Sequence, residues 1–138
     1  MPVNLEVRNR QRRVRVDVCS LQDFAERALR ECLRTRGGLS RLRDITAVLV
    51  SDRKISELHR RYMKIAGATD VITFQHGDIF ISTETARRQA TQFGTTTLDE
   101  IKLYLVHGLL HLHGFDDKTP AAARRMARMQ ERIVRRAG

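Results

Sequence analysis

The chain has 138 residues, of which 41% are hydrophobic and 30% are charged, so the composition predicts a single globular domain and excludes a disordered chain. No apolar run reaches the ~18 residues of a membrane-spanning helix, and charges stand where a signal peptide has its apolar centre, which predicts a cytoplasmic protein without membrane association. The formal net charge is +10 and 22 of the 26 basic residues are arginine, which pairs well with phosphate; this favours RNA or DNA as partner, with a merely arginine-rich surface as the alternative.

The first part of the chain alternates strand and helix patterns. Residues 3–7 and 13–18 alternate apolar and polar side chains with period two, which predicts two half-buried strands. A helical pattern follows, with Ser20 as a candidate cap and a stop at the glycines 37 and 38. The apolar run at residues 44–51 predicts a buried strand.

The second part of the chain is mostly helical. Two short strands, 69–74 and 77–82, lie so close in sequence that we expect them to pair. Four helices are predicted, over residues 52–64, 83–94, 96–114 and from Pro120 onward. The sequence therefore predicts the α+β class: one domain over residues 1–138, with a small mixed β-sheet and helices packed on it.

Neither of the two cysteines lies in a CxxC motif. Cys19 and Cys32 both stand among apolar and helical residues. We predict that both are buried free thiols and that neither is a zinc ligand.

The segment HGLLHLHGFDD, residues 107–117, carries the densest set of metal-binding side chains. His107 and His111 are four residues apart on a predicted helix, so their imidazoles share one face and can bind one ion. Gly114 can end the helix and turn the chain back, which lets Asp117 arrive as a third ligand; Asp116 or a more open site is the alternative. Three ligands leave one coordination position for water, which is typical of catalytic zinc.

Two further residues of this segment bear on its chemistry. The spacing HxxxHxxGxxD is that of the metzincin peptidases with two changes: Gly108 replaces the glutamate base, and Asp117 replaces the third histidine. The missing glutamate argues against peptide hydrolysis, whereas the preserved spacing argues for a metal. His113 points off the shared face and is predicted to be a nearby polar group that can still bind or relay protons.

Three blocks, HGLLHLHGFD, TDVITF and GDIFIS, resemble in composition, order and separation the YbeY-type endoribonucleases, over about residues 40 to 136. The resemblance implies a zincin-like metal-binding helix and one Zn²⁺ per chain, with His107 and His111 carried over as ligands. It also implies a single-strand-specific endoribonuclease that acts in ribosomal RNA maturation and ribosome quality control, with ribosomal RNA and the small subunit as partners. The family pattern has a third histidine where this chain has Asp117.

A second departure from the family pattern affects phosphate binding. The family segment LNxxYR corresponds to LHRRYM here, so His59 replaces the asparagine and Met63 replaces the arginine thought to handle phosphate. Arg60 and Arg61 are one turn away and are predicted to substitute for that arginine. Asp70, in the block TDVITF, is a candidate general base together with Asp116 and His113.

These observations give a first hypothesis and two alternatives. The first is a zinc-dependent endoribonuclease in which Arg60 and Arg61 bind phosphates, and in which Asp70, Asp116, His113 or a metal-bound hydroxide serves as base. The main alternative, favoured by Met63, is a ribosome-associated RNA-binding factor whose metal is mainly structural and whose cleavage is weak. The other is a metallohydrolase of a different substrate, such as peptides, against which Gly108 counts.

Overall fold

The computed structural model describes residues 2–138, as four strands and five helices with one short 3₁₀ helix. The strands are β1 (Asn4–Asn9), β2 (Asp44–Val50), β3 (Val71–Phe74) and β4 (Asp78–Ser82). The helices are α1 (Val18–Cys32), α2 (Asp52–Met63), α3 (Thr83–Phe93), α4 (Thr97–His113) and α5 (Pro120–Ala137), and the 3₁₀ helix is Gly38–Arg41. The predicted α+β class is confirmed; the predicted single domain also includes Met1, which lies outside the described residues.

The four strands form one mixed sheet in the order β1-β2-β4-β3. Strand β2 is parallel to both β1 and β4, while β3 and β4 are antiparallel, with Ile72 opposite Phe80. The predicted pairing of the two short strands is therefore confirmed. Strand β3 lies at an edge of the sheet, so one of its sides is free to line a cavity.

Helix α4 forms the centre of the main core. Its residues Ile101, Leu105 and Leu109 are fully buried against the sheet and helices α1, α3 and α5. Helix α2 packs on a second, smaller cluster formed with Val50 and Ile72. The sheet thus separates two apolar layers, and such a two-layer arrangement lets each helix bury its apolar stripe.

The predicted strand over residues 13–18 is wrong. The side chain of Gln11 accepts from the Val14 amide and donates to the Val14 carbonyl, so these backbone groups bond to a side chain instead of a neighbouring strand. Helix α1 already begins at Val18, with Asp17 as its cap in place of Ser20. Val14 is buried, as the alternation of arginine and valine suggests, but this segment pairs with no strand.

The two cysteines differ in environment, which corrects the prediction that both are buried. Cys19 is exposed in the first turn of α1, because it points away from the stripe that meets the core. Cys32 is buried at the end of the same helix, and burial, followed by the nearby Glu31 charge, raises the pKa of its thiol to about 12.

No helix within residues 2–138 combines the length and the apolar character needed to cross a bilayer.

Candidate metal centre

His107 and His111 converge on one point at the C-terminal end of α4. Their Nε2 atoms lie 3.1 Å apart, as expected for two side chains one helical turn apart. Together with Asp117 they offer three donor atoms that all lie within 4.8 Å of one another. The structure thus brings together the three residues that the sequence predicts as ligands, with Asp117 in the group in preference to Asp116.

The hydrogen bonds of the two imidazoles suit them to a cation. His111 Nδ1 donates to the Phe115 carbonyl at 3.1 Å, and His107 Nδ1 donates to Gln130 Oε1 at 2.8 Å. In a neutral histidine whose Nδ1 carries the proton, Nε2 carries the lone pair. Two lone pairs therefore face each other, and a cation between them removes that repulsion, so the donor set fits a metal ion.

The electrostatic environment also keeps His111 neutral. Burial, and after it the neighbouring His107, lower the pKa of His111, although Asp117 and Asp116 partly oppose this effect. A neutral imidazole is the form that binds metal. The site therefore has its ligand in the competent state at neutral pH.

A glycine ends helix α4 and turns the chain toward the site. Gly114 has φ 110°, a left-handed conformation that a residue with a Cβ rarely adopts. Its N–H donates to the His111 carbonyl, and the N–H of Phe115 donates back to the Leu110 carbonyl at 2.9 Å. This turn brings Asp117 back over the end of the helix, as the sequence predicted.

The three donors line a cavity of about 350 Å³ between α4, the edge strand β3 and the C-terminal end of α2. The other lining residues come from α2, from the segment before β3, from β3 itself and from the turn after it: His59, Met63, Thr69, Asp70, Val71, Ile72, Thr73 and Gln75. The cavity is therefore a cleft that can admit part of a polymer beside the metal-binding donors.

Three of the predicted catalytic residues occupy different places around this cavity. Asp70 lines it, and one of its carboxylate oxygens accepts from the Val71 amide at 2.8 Å. Arg60 and Arg61 are exposed on α2 and are not among the lining residues, which at this end are His59 and Met63. A catalytic role for any of the three stays a prediction.

His59 is a cavity residue to which the sequence alone assigned no role. Its Nδ1 donates to the Gly67 carbonyl at 3.1 Å, which ties the end of α2 to the loop before β3. The available signal was its spacing, because residues 59 and 63 are four apart and so share one helical face. That face is the one turned to the metal-binding donors.

His113 is separate from the metal centre. It is 4% exposed; its Nδ1 accepts from the Leu39 amide at 3.3 Å and its Nε2 donates to the Thr35 carbonyl at 3.1 Å. Both ring nitrogens are therefore occupied by the fold. The sequence correctly placed His113 off the ligand face, but it lies in the core and does not border the cavity.

Gly108 also faces away from the cavity. A Cβ atom at this position would stand 2.7 Å from a side-chain carbon of Ile79 in β4, so α4 lies in close contact with the sheet here. A glutamate would therefore meet the core before it could reach the metal-binding donors. This geometry supports the argument from the sequence against peptide hydrolysis.

Comparison with known proteins gives the family. The sequence model of the family described as endoribonuclease YbeY matches residues 6–138, nearly all of the chain. The chain belongs to the YbeY family. The match covers most of β1 and every element from α1 through α5, and with them all three metal-binding donors, so the family resemblance stated from the sequence is confirmed.

Curated members of the YbeY family share about two fifths of the aligned residues. The protein named endoribonuclease YbeY from Myxococcus xanthus is 39% identical over 104 residues, 66% of this chain and 35% of that protein. The one from Anaeromyxobacter sp. is 41% identical over 105 residues, 69% of this chain and 55% of that protein. The one from Bacteroides thetaiotaomicron is 42% identical over 87 residues, 58% of this chain and 64% of that protein. The chain thus spans about a third to two thirds of the length of these relatives.

A solved structure supports the same fold. The solution structure of TM1509 from Thermotoga maritima superimposes with a TM-score of 0.66 and 22% identity, covering 96% of this chain and 88% of that one. At this identity the likeness concerns the fold alone. It is the small mixed sheet with packed helices that the YbeY-type resemblance implied.

Proposed function

We propose that the protein is a zinc-dependent, single-strand-specific endoribonuclease that acts in ribosomal RNA maturation and ribosome quality control. This proposal rests on the geometry of the metal centre. The Nε2 atoms of His107 and His111 lie 3.1 Å apart, and Asp117 adds a third donor beside them at the cleft. The names of the curated relatives and the net charge of +10 support RNA as the substrate. We place the activity in the cytoplasm and on the small ribosomal subunit.

Zinc is the metal that this donor set favours. Zinc accepts two imidazole nitrogens and one carboxylate oxygen in a tetrahedral arrangement, with one position left for water or substrate. The hydrogen bonds from His107 to Gln130 and from His111 to the Phe115 carbonyl hold the two rings in the ligating orientation. We expect one zinc ion per chain.

We assign roles to the chain's own residues as part of this proposal. When bound, zinc polarises a phosphoryl oxygen and lowers the pKa of a coordinated water. Asp70 lines the cleft with a carboxylate and is our candidate for accepting the proton of the attacking hydroxyl group. Arg60 and Arg61 lie on the exposed side of α2, where they can hold phosphates that flank the cleaved bond.

A second candidate function is supported by one specific observation. Among the residues that the structure describes, the cleft is lined by no arginine or lysine, and Met63 stands where the family has its arginine. A cleft without a fixed cation stabilises less charge in the transition state. The alternative is therefore a ribosome-associated RNA-binding factor whose metal is mainly structural and whose cleavage is weak.

One experiment separates the two functions. The purified chain, with zinc measured by elemental analysis, is incubated with single-stranded and with duplex RNA of the same sequence. The endoribonuclease proposal predicts cleavage of the single strand that a chelator abolishes, that added zinc restores and that His111→Ala lacks. RNA binding and zinc content without cleavage would favour the binding factor, and cleavage unaffected by the chelator would reject the zinc-dependent site.

A Met63→Arg variant sharpens the result. It restores the cation at the family position without touching the metal-binding donors, so the endoribonuclease proposal predicts faster cleavage at unchanged zinc content. Lys64→Arg, one residue further along the chain, adds no charge and serves as the matched control. Equal rates in Met63→Arg and the parent chain would mean that other groups already supply this charge.

A further inference from the structure

A second large cleft lies on the surface beside helix α5, and its chemistry differs from that of the metal centre. It has a volume of about 600 Å³ and is lined by Phe115, Arg125, Arg128, Met129, Glu131, Arg132 and Arg135. We call it the α5 groove. None of its lining residues borders the cleft of the metal centre.

The helical period explains why four arginines line one groove. Residues 125, 128, 132 and 135 are spaced by three or four, so they follow one strip of α5. That strip is about 15 Å long, because an α-helix rises about 1.5 Å per residue. The core-facing stripe of the same helix carries Met126 and Ile133, which fixes the rotation of α5 and leaves the arginines exposed.

The charges of the α5 groove are poorly balanced within the protein. Glu131 is the single acidic residue of its lining, and it stands 4.0 Å from Arg135. Arg125, Arg128 and Arg132 form no ion pair with any of residues 2–138. Like charges three and four residues apart destabilise a helix, so a bound polyanion relieves a repulsion that the fold leaves in place.

The groove is joined to the metal centre by two short connections. Phe115 is half-buried against the main core and lines the groove, while its carbonyl accepts from His111, and Asp117 follows two residues later. Gln130 of α5 accepts from His107. The α5 groove and the metal centre therefore share the turn after α4 and the helix that carries Gln130.

We propose that the α5 groove binds the sugar–phosphate backbone of single-stranded RNA that flanks the bond cleaved at the metal centre. Arginine forks hold phosphates in two-point contacts, and the half-buried Phe115 ring offers a face on which an unpaired base stacks. Stacking of this kind requires a free base face, which a duplex does not present. The inference rests on the proposed function and adds a second RNA-binding surface to it.

Another basic hollow, on the sheet side, is a weaker candidate for the same role. It is lined by Arg8, Arg10 and Lys54 together with the acidic Asp78 and four apolar or hydroxyl side chains. Arg8 is already bonded to Glu6. Each lining holds one acidic residue, but the hollow has fewer free cations, so it is less suited to a chain of phosphates than the α5 groove.

The test uses the full chain with Arg125→Ala, Arg128→Ala and Arg132→Ala combined. The matched control combines Arg12→Ala, Arg15→Ala and Arg53→Ala, three exposed arginines outside the groove that remove the same charge. Binding to a labelled single-stranded RNA of about 16 nucleotides is measured by anisotropy at several salt concentrations. The groove triple should bind about tenfold more weakly or worse, and the slope of log K against log salt should fall by about two.

The outcomes of this test separate the groove from the proposed function. Equal losses in both triples would mean that only net charge matters, and an unchanged slope in the groove triple would mean that RNA lies elsewhere; either overturns the groove. Cleavage of an RNA of about four nucleotides should fall much less in the groove triple than cleavage of the longer RNA, because a short RNA can contact fewer of the groove arginines. A parent chain that neither binds nor cleaves RNA would reject the proposed function itself.

A second variant tests the choice of single-stranded RNA as the occupant. Phe115→Leu keeps an apolar side chain but removes the stacking face, so it should weaken single-strand binding about tenfold and leave duplex binding unchanged. If polyglutamate of the same charge displaces RNA as well as unlabelled RNA does, and Phe115→Leu has no effect, the groove is a docking surface for an acidic protein and the RNA proposal is overturned.

Discussion

Helix α4 carries histidines both at the cleft and in the core, and their roles differ. On one side, His107 and His111 face a cleft with their Nε2 atoms 3.1 Å apart. Away from the cleft, Gly108 lies against strand β4, and His113 is buried against Thr35 and Leu39. One face of α4 can therefore hold a metal, whereas the rest of the helix surface stabilises the fold.

The difference between His111 and His113 lies in what their nitrogens bond to. His111 uses Nδ1 to bond the Phe115 carbonyl and leaves Nε2 turned to another histidine. Both nitrogens of His113 are satisfied by Thr35 and by the Leu39 amide. A histidine with one nitrogen held by the protein and the other turned to a second donor is a ligand candidate, whereas one with both nitrogens held is part of the core.

The largest effect is expected on the cleft side. Changing His107 or His111 to Ala should reduce bound zinc from about one per chain to almost none and slow RNA cleavage at least about a thousandfold. The metal-free form should lose little stability, because both residues are only half-buried. Elemental analysis and a gel cleavage assay measure the two effects. An unchanged zinc content in both variants would show that His107 and His111 are not the metal ligands.

The core side should respond in stability and not in metal content. Gly108→Ala inserts a methyl group 2.7 Å from an Ile79 carbon and should lower the free energy of unfolding by about 3 kcal/mol. Zinc bound per folded chain should stay the same. The same change in an Ile79→Ala background should cost less, because the obstructing atoms are gone. Denaturant unfolding of the four proteins completes the cycle.

His113→Leu tests another buried part of α4 through its hydrogen bonds. It leaves the Leu39 amide and the Thr35 carbonyl without their buried partner, and should destabilise the protein by about 2 kcal/mol with zinc content and cleavage rate unchanged. Gly37→Ala should act similarly, since a Cβ there would stand 2.5 Å from the His113 ring. Loss of zinc from a folded His113→Leu protein would show that His113 affects metal binding, contrary to its separate position.

The smallest effect concerns the wall of the cleft and depends on pH. Burial alone would raise the pKa of Asp52, but hydrogen bonds from Arg88, Ser82 and Thr85 outweigh it and lower that pKa. The ionised Asp52 carboxylate and its hydrogen bonds stabilise the folded state. This stabilisation is fully present above about pH 4, the ordinary range of aspartate, and is lost as pH falls through the lowered pKa of the folded state. Asp52→Asn should cost about 1 kcal/mol at neutral pH and flatten the acid part of the stability curve.

Asp52 begins α2, and the far end of this helix carries His59 and Met63, which line the cleft. Helix α2 packs on its own small apolar cluster, apart from the core side of α4. Amide hydrogen exchange at acid pH should therefore rise in α2 before it rises in α4. Simultaneous exchange of both helices would show that the cleft wall is not an independent unit.

The sequence determined those features that depend on periodicity and on single residues with special backbone preferences. The spacing of His107 and His111 placed both on one face of a helix, and Gly114 ended that helix where a left-handed residue is needed. Alternation and turn residues likewise placed β3 next to β4. Each of these features is local, so neighbours in the sequence suffice to predict it.

The tertiary structure decided what depends on contacts between distant residues. Only packing shows that residues 13–17 pair with no strand, that Cys19 points to solvent, and that His59 and Met63 line the cleft while Arg60 and Arg61 do not. The same holds for the bonds of His113 to Thr35 and Leu39, which are more than seventy residues away in the sequence. A pattern in one segment gives the direction of a side chain relative to its own helix, but the partner that meets it is set by how the helices and the sheet pack.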